Sequence, residues 1–391
     1  MNEGDIIIKK DKRKIQLKKY VLLASFILLG IVGGFLSGMY FAPATVEDKT
    51  MTESLFWFFL LFSGICIALF LQTFIHESGH LVFGLLTGYK FSSFRIGSFM
   101  LIRDNERLRI KRLSIVGTGG QCLLIPPESF NEKAPFILYN LGGSIFNIVF
   151  GLGFFMLHLY FKNIEYLSAF LLILSVFGFI FALVNGIPMK LGLVNNDGYN
   201  TLVFVKDRKA LLTFFIHLRI IEQNSRGIRL KDMPEEWFSI YPIEEMKNSI
   251  LATSGVLICN RLIDSHQFDA ADQLMEQLIG LDSLVGVHKN LLICDRIYCE
   301  VIGENRKDIR DIMLDNPQKK FMKSMKKFPS VLRTEYAYAL IAENDLKKAQ
   351  KIMLEFEKVA RTYPYSCDVE SERELINIAN QAILKVDENL I

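Results

Sequence analysis

Four apolar stretches dominate this chain: Tyr20–Phe41, Leu55 to about Tyr89, Pro135–Tyr160 and Tyr166–Pro188. About 20 apolar residues in a helix match the hydrocarbon thickness of a bilayer, and each stretch reaches that length. Inside lipid the backbone must satisfy its own polar groups, so helices are the expected elements. Composition points the same way. With 51% hydrophobic residues, 32 Phe and a mean hydropathy of +0.27, the chain is too apolar for an ordinary soluble protein of 391 residues.

Basic residues set the expected orientation. The first stretch follows a basic segment, Lys9 to Lys19. A secretory signal has the same order with a shorter apolar region, so the stretch reads as an uncleaved first span; Ala42-Pro43-Ala44 leaves cleavage as the alternative. The loop Ala42–Ser54 has one lysine and three acids, whereas Lys90, Arg95, Arg103, Arg107, Arg109, Lys111 and Arg112 crowd between the second and third stretches. The positive-inside bias then predicts a multi-pass cell-membrane protein with both termini in the cytosol. The second and fourth stretches would end at similar depth. A net charge of +3 gives no reason to expect nucleic acid. None of the six cysteines forms a CxxC pair, and all read as reduced thiols.

The expected fold is mainly α, a polytopic membrane protein with about four transmembrane helices. Phe94–Arg103 and Leu108–Ile115 read as a small membrane-associated β-hairpin turning at Asp104-Asn105-Glu106, followed by a loop at Gly117–Gly120. Beyond about Tyr199 the chain reads as a cytosolic helical domain. A loose repeat of roughly 38–40 residues joins Phe268–Met275, Arg306–Met313 and Asp345–Met353, close to helix-pair repeats of tetratricopeptide (TPR) type. Expected boundaries are residues 1–54 for the basic terminus, first span and outer loop, 55–200 for the core that holds the other three apolar stretches and 201–391 for the helical domain.

His76-Glu77-Ser78-Gly79-His80 lies inside the second apolar stretch. On a helix, residues i and i+4 share a face, so both imidazoles can reach one Zn²⁺, with Glu77 placed to take a proton from water. Histidine and glutamate in an apolar helix are costly unless partnered. Zinc asks for a third protein ligand. Asp197 is the only carboxylate between Glu165 and Lys206, and the topology puts it on the side of the histidines. It reads as that ligand or as a helix N-cap, two roles that can coexist. Asn185 and Pro188 would break the fourth stretch and leave backbone groups near the metal for a substrate, or simply stop the helix.

These motifs resemble the site-2 protease family of intramembrane metallopeptidases, known as M50. The family pattern is HExxH in one span and NxxP followed by DG in a later one, here His76–His80, Asn185–Pro188 and Asp197-Gly198. Phe94-Arg95-Ile96-Gly97 resembles the strand after that helix, and Gly143-Ser144-Ile145-Phe146-Asn147 the family's Gly-x-x-x-Asn element. The resemblance covers residues 55–200. It implies zinc and a membrane-embedded active site. It also implies hydrolysis of a peptide bond in or next to a transmembrane segment or membrane-bound peptide precursor. For Asn147 it implies contact with substrate or transition state; an interhelical hydrogen bond is the other reading. The expected partners are such a substrate, the bilayer and a protein partner for the helical domain. The stretch from Asn185 to Asp197 is longer than the tight form of the motif, and no PDZ-like insertion separates the last two spans. The alternative function is a membrane binding or immunity module without proteolysis.

Overall fold

The computed structural model describes residues 50–104, 107–115, 118–127, 135–191 and 194–388. The expected first span, Tyr20–Phe41, lies outside the described residues. Three described helices are long and apolar enough to cross a membrane: Phe59–Leu86, Phe136–Tyr160 and Tyr166–Gly186.

The first of these belongs to a longer helix, α1 (Met51–Leu86). It opens on a capping box. Thr50 Oγ1 accepts from the Glu53 amide, while the Glu53 carboxylate accepts from the Thr50 amide. It closes at Gly88, whose φ of +90° supports a left-handed cap with the Tyr89 amide bonded back to the Gly84 carbonyl. Helices α2 (Phe136–Tyr160) and α3 (Glu165–Gly186) follow the sheet described below.

The chain divides into two compact units. The first holds residues up to His76 together with Ser144–Val184. Its interior is small, with Ala68, Ile173 and Leu174 buried between helices. Hydrogen bonds tie its helices together: Gln72 Nε2 donates to the Leu174 carbonyl and Ser175 Oγ to that of Gly151, both at 2.8 Å. His158, near the end of α2, is buried with its Nδ1 2.9 Å from the Ser168 carbonyl oxygen. Phe56, Phe59, Phe62, Phe70, Val149 and Met156 face outwards, the pattern of a lipid-bathed surface.

The second unit holds Glu77–Gly143 and everything from Asn185 onward. The expected hairpin is part of a larger object. Strands β1 (Lys90–Ile96), β2 (Phe99–Asp104), β3 (Arg107–Arg112) and β4 (Gly120–Ile125) form an antiparallel sheet in the order β3-β2-β1-β4. Phe94–Arg103 is two strands because Gly97, at φ +58°, turns the chain there. Strands β2 and β3 pair with Asp104 opposite Arg107, while Asn105 and Glu106 of the expected turn lie outside the described residues. Gly120, expected in a loop, begins β4 opposite Ile96. Met100, Ile102 and Leu113 are buried against Leu332, Phe356, Tyr363 and Ile376, so one face of this sheet shares a core with the last helices.

After a two-stranded turn, β5 (Lys190–Leu191) and β6 (Val194–Asn195), come α4 (Asp197–Lys206) and α5 (Arg208–Ser225). Then follow α6 (Ser249–Asp264), α7 (Phe268–Ile279), α8 (Gly286–Ile302), α9 (Lys307–Met313), α10 (Asn316–Ser324), α11 (Pro329–Ala337), α12 (Leu346–Ala360) and α13 (Ser366–Glu388). Asp207, Asn248, Asp315 and Asp345 cap α5, α6, α10 and α12 through their side chains. The helix pairs α6–α7, α8–α9 and α11–α12 each turn through a residue in left-handed conformation, His266, Asn305 and Asn344. Each stands 39 residues after the one before. Five residues beyond each comes a buried side chain, Ala271, Arg310 or Ala349. The spacing read from the sequence thus has a structural counterpart in the turns.

Candidate metal centre

His76, Glu77 and His80 lie in the last third of α1 and are all buried. Their setting is built by close helix contact. A Cβ on Gly79 would strike the Gly142 backbone of α2, and one on Gly142 would meet Gly79 in return, so α1 and α2 touch backbone to backbone. The Gly-x-x-x-Asn element starts at Gly143, but the close approach falls mainly at Gly142.

Each imidazole is held by its Nδ1. His80 Nδ1 lies 2.7 Å from the Tyr139 carbonyl oxygen, an acceptor, so that nitrogen carries the proton. The Tyr139 hydroxyl in turn donates to the Cys122 carbonyl in β4. His76 Nδ1 lies 2.7 Å from Asn147 Oδ1. Asn147, fully buried, donates its amide to the Gln72 carbonyl at 3.2 Å and to Gln72 Oε1 at 2.8 Å, so its oxygen is the acceptor for His76. With Nδ1 engaged in this way, Nε2 is the nitrogen that each ring would offer to a metal. Such acceptors behind a histidine fix the tautomer that binds metal.

Asp197 is the first residue of α4. The cap of that helix is Asn196, whose Oδ1 accepts from the Tyr199 amide at 2.9 Å and the Met189 amide at 3.0 Å. Capping therefore falls to Asn196 and not to Asp197. The Asp197 carboxylate instead lies 3.4 Å from His80 Nε2. Gly198 completes the turn, since a Cβ there would strike the Gly186 carbonyl at the end of α3. His76, His80 and Asp197 each offer a ligand atom, and these atoms lie within 4.8 Å of one another.

The donors suit zinc. Two atoms bound to one ion at about 2.1 Å with tetrahedral angles stand roughly 3.4 Å apart, the separation of His80 Nε2 and Asp197. Two neutral imidazoles and one carboxylate are an open catalytic set, with a fourth position left over.

Glu77 packs on the start of β4. A Cβ on Gly120 would come within 2.5 Å of its Oε1. Arg95 arranges that strand start: Nη1 donates to the Gly97 carbonyl at 2.7 Å, and Nη2 to Thr118 Oγ1 at 2.5 Å and the Gly120 carbonyl at 3.1 Å. Burial pulls the Arg95 guanidinium below its ordinary value, opposed by the negative charge of Glu77. Of the residues expected near a substrate, Asn185 lies half-buried in the last turn of α3, and Pro188 is exposed just beyond its end.

An apolar helix carrying two imidazoles and an adjacent glutamate, with a carboxylate from the start of α4 beside them, is the arrangement of a membrane metallopeptidase. The chain belongs to peptidase family M50, the site-2 protease family, whose sequence model matches residues 64–336. No curated protein and no solved structure matches it.

Proposed function

We propose that this chain is a zinc-dependent intramembrane protease that hydrolyses a peptide bond in or next to a transmembrane segment or membrane-bound peptide precursor. The observation that carries the reading is the pair His80 and Asp197 at 3.4 Å, with His76 one turn earlier on the same helix and both Nδ1 atoms already engaged. His76, His80 and Asp197 would hold the metal. Bound zinc supplies Lewis acidity, polarising the scissile carbonyl and making water easier to deprotonate. Glu77 takes the proton of the attacking water and returns it to the leaving amide nitrogen. Asn147 and the Tyr139 carbonyl orient the two imidazoles. An extended substrate could add to the open edge of β4, whose first residue touches Glu77. Both termini would face the cytosol, and the paired helices after Ser249 would form a TPR-like surface for partners. The intact donor set gives no support to a binding module without proteolysis.

The test is a co-expressed membrane peptide. Wild type should release a cut product and carry about one zinc per chain. Glu77→Gln should keep the zinc and lose roughly 10²–10⁴-fold in cleavage, since an amide cannot accept the proton. His80→Ala should lose both. Equal cleavage in wild type and Glu77→Gln would sink the reading.

A further inference from the structure

The helical part of the second unit encloses a cavity of about 330 Å³ that none of the metal-centre residues lines. That volume is at the small end of ligand pockets. Its apolar wall includes Val256, Leu257, Leu291, Phe328 and Tyr363. Four carboxylates also line it, Asp264, Asp295, Asp368 and Glu372, against two guanidinium groups.

The pairing of these charges is incomplete. Arg333, 1% exposed, is shared by Asp295 at 2.5 Å and Glu372 at 2.8 Å, and its Nη1 has no acceptor. Arg229 is shared by Asp264 at 2.6 Å and Glu374. Asp368 has no cation among the described residues; its one hydrogen-bond contact is the Cys367 thiol at 3.8 Å. Burial beside Glu372 and Asp264 raises its carboxyl to about 7. Two amides line the same cavity from α5 and α6. Asn224 Oδ1 is buried without a partner among the described residues, and Asn260, half-buried, also lines the cavity. Polar groups left unpaired inside a fold are costly, and a ligand entering the cavity would satisfy them.

We propose that this cavity binds a short extended peptide that sets a cationic group, a lysine ammonium or free α-amine, against Asp368. The Asn224 and Asn260 amides take its backbone groups, and the apolar wall takes a neighbouring side chain. A carboxylate on α13 and amides on α5 and α6 ask for a ligand with polar groups along its length, which a peptide has and a simple amine lacks. Stacked helix pairs commonly build such concave surfaces. The inference goes beyond the proteolytic reading, and its readout is binding alone, so either can fail without the other.

The experiment uses the full chain in lipid nanodiscs, with empty nanodiscs as the blank. The probes are fluorescein-labelled Ala-Leu-Lys-Ala-Ala and Ala-Leu-Glu-Ala-Ala, followed by anisotropy at pH 8. The lysine peptide should bind saturably and about tenfold tighter than the glutamate peptide. Asp368→Asn should bring the two to near parity, and Asn260→Ala should weaken both. In wild type, where no variant has to fold, the lysine peptide should slow amide hydrogen exchange in α6 and α13. The proposal is overturned by absence of saturable binding, by a lysine preference that survives in Asp368→Asn, or by exchange unchanged in both helices. Displacement of the peptide by n-butylamine at equal concentration would also overturn it, since the site would then read an amine and not a peptide.

Discussion

At the scale of single residues, the polar side chains inside the apolar helices do different work. Asn147 is a positioning residue: it touches His76 and Gln72. Asn147→Leu should weaken zinc affinity about 10–100-fold, the usual cost of removing a group behind a metal-bound histidine, while Glu77→Gln leaves it unchanged. Competition with a zinc chelator separates the two; equal affinity in wild type and Asn147→Leu would make the contact incidental. The histidines and Glu77 stood out in the sequence as ionisable groups in an apolar segment, and Asp197 as the lone carboxylate between Glu165 and Lys206. Gln72, one turn before His76, is polar but not ionisable, and a neutral amide belongs to no metal motif. Arg95 was hidden for another reason: two of its three partners, the Gly97 and Gly120 carbonyls, are backbone groups that leave no mark on the sequence. Asp368 makes a prediction of its own. Its folded carboxyl sits near 7, above the ordinary 3.8, so the folded state holds a proton that the unfolded state releases. The cost to stability is absent below about pH 4, grows as pH rises, and levels off above 7. Asp368→Asn should therefore melt above wild type at pH 8, by a margin that shrinks towards pH 5. A constant margin across that range would mean that Asp368 does not titrate there. The charges facing it are Asp264 and Glu372, with Arg229 and Arg333 beyond them in the same cavity.

At the scale of elements, local signals were read correctly and distant pairings were not. The β2–β3 pairing could be anticipated because the two strands are nearly contiguous in the chain. Strand β4 could not, because its partner β1 lies about two dozen residues earlier and its run Cys122–Ile125 is apolar without alternation. The 39-residue helix-pair spacing was visible as a faint repeat because Ala271 and Ala349 occupy the same buried place. The contact of α1 with α2 left only glycines as its trace. Gly142→Ala should cost stability and Gly142→Val more, since any Cβ there runs into the Gly79 backbone and pushes apart the helices that carry His80 and Tyr139. Melting in detergent and zinc content should fall together in the order wild type, Ala, Val. A Val variant as stable and as metal-rich as wild type would contradict the contact.

At the scale of the whole molecule, one core runs through the second unit. Tyr89, Leu124 and Tyr139 share it with Phe204, Phe215, Met275, Tyr298 and Ala379. Ending the chain after Pro242 would strip the helices that cover it and would bare Met100, Ile102 and Leu113 of the sheet. That truncation should aggregate or lose its zinc on size-exclusion chromatography in detergent; a monodisperse, zinc-loaded fragment would show that the shared core is dispensable. Helix α1 adds a measure of depth. Its capping box uses a charged glutamate, Glu53, which belongs in water or among headgroups. Counting forward at 1.5 Å per residue, His76 lies roughly 35 Å along the axis from Glu53. The oily layer is only about 30 Å thick. With Glu53 taken as lying at one face of the membrane, α1 would be a ruler whose histidines are marked off close to the other. Water would have a short way in, and a substrate would have to fray only its last turns to reach Glu77.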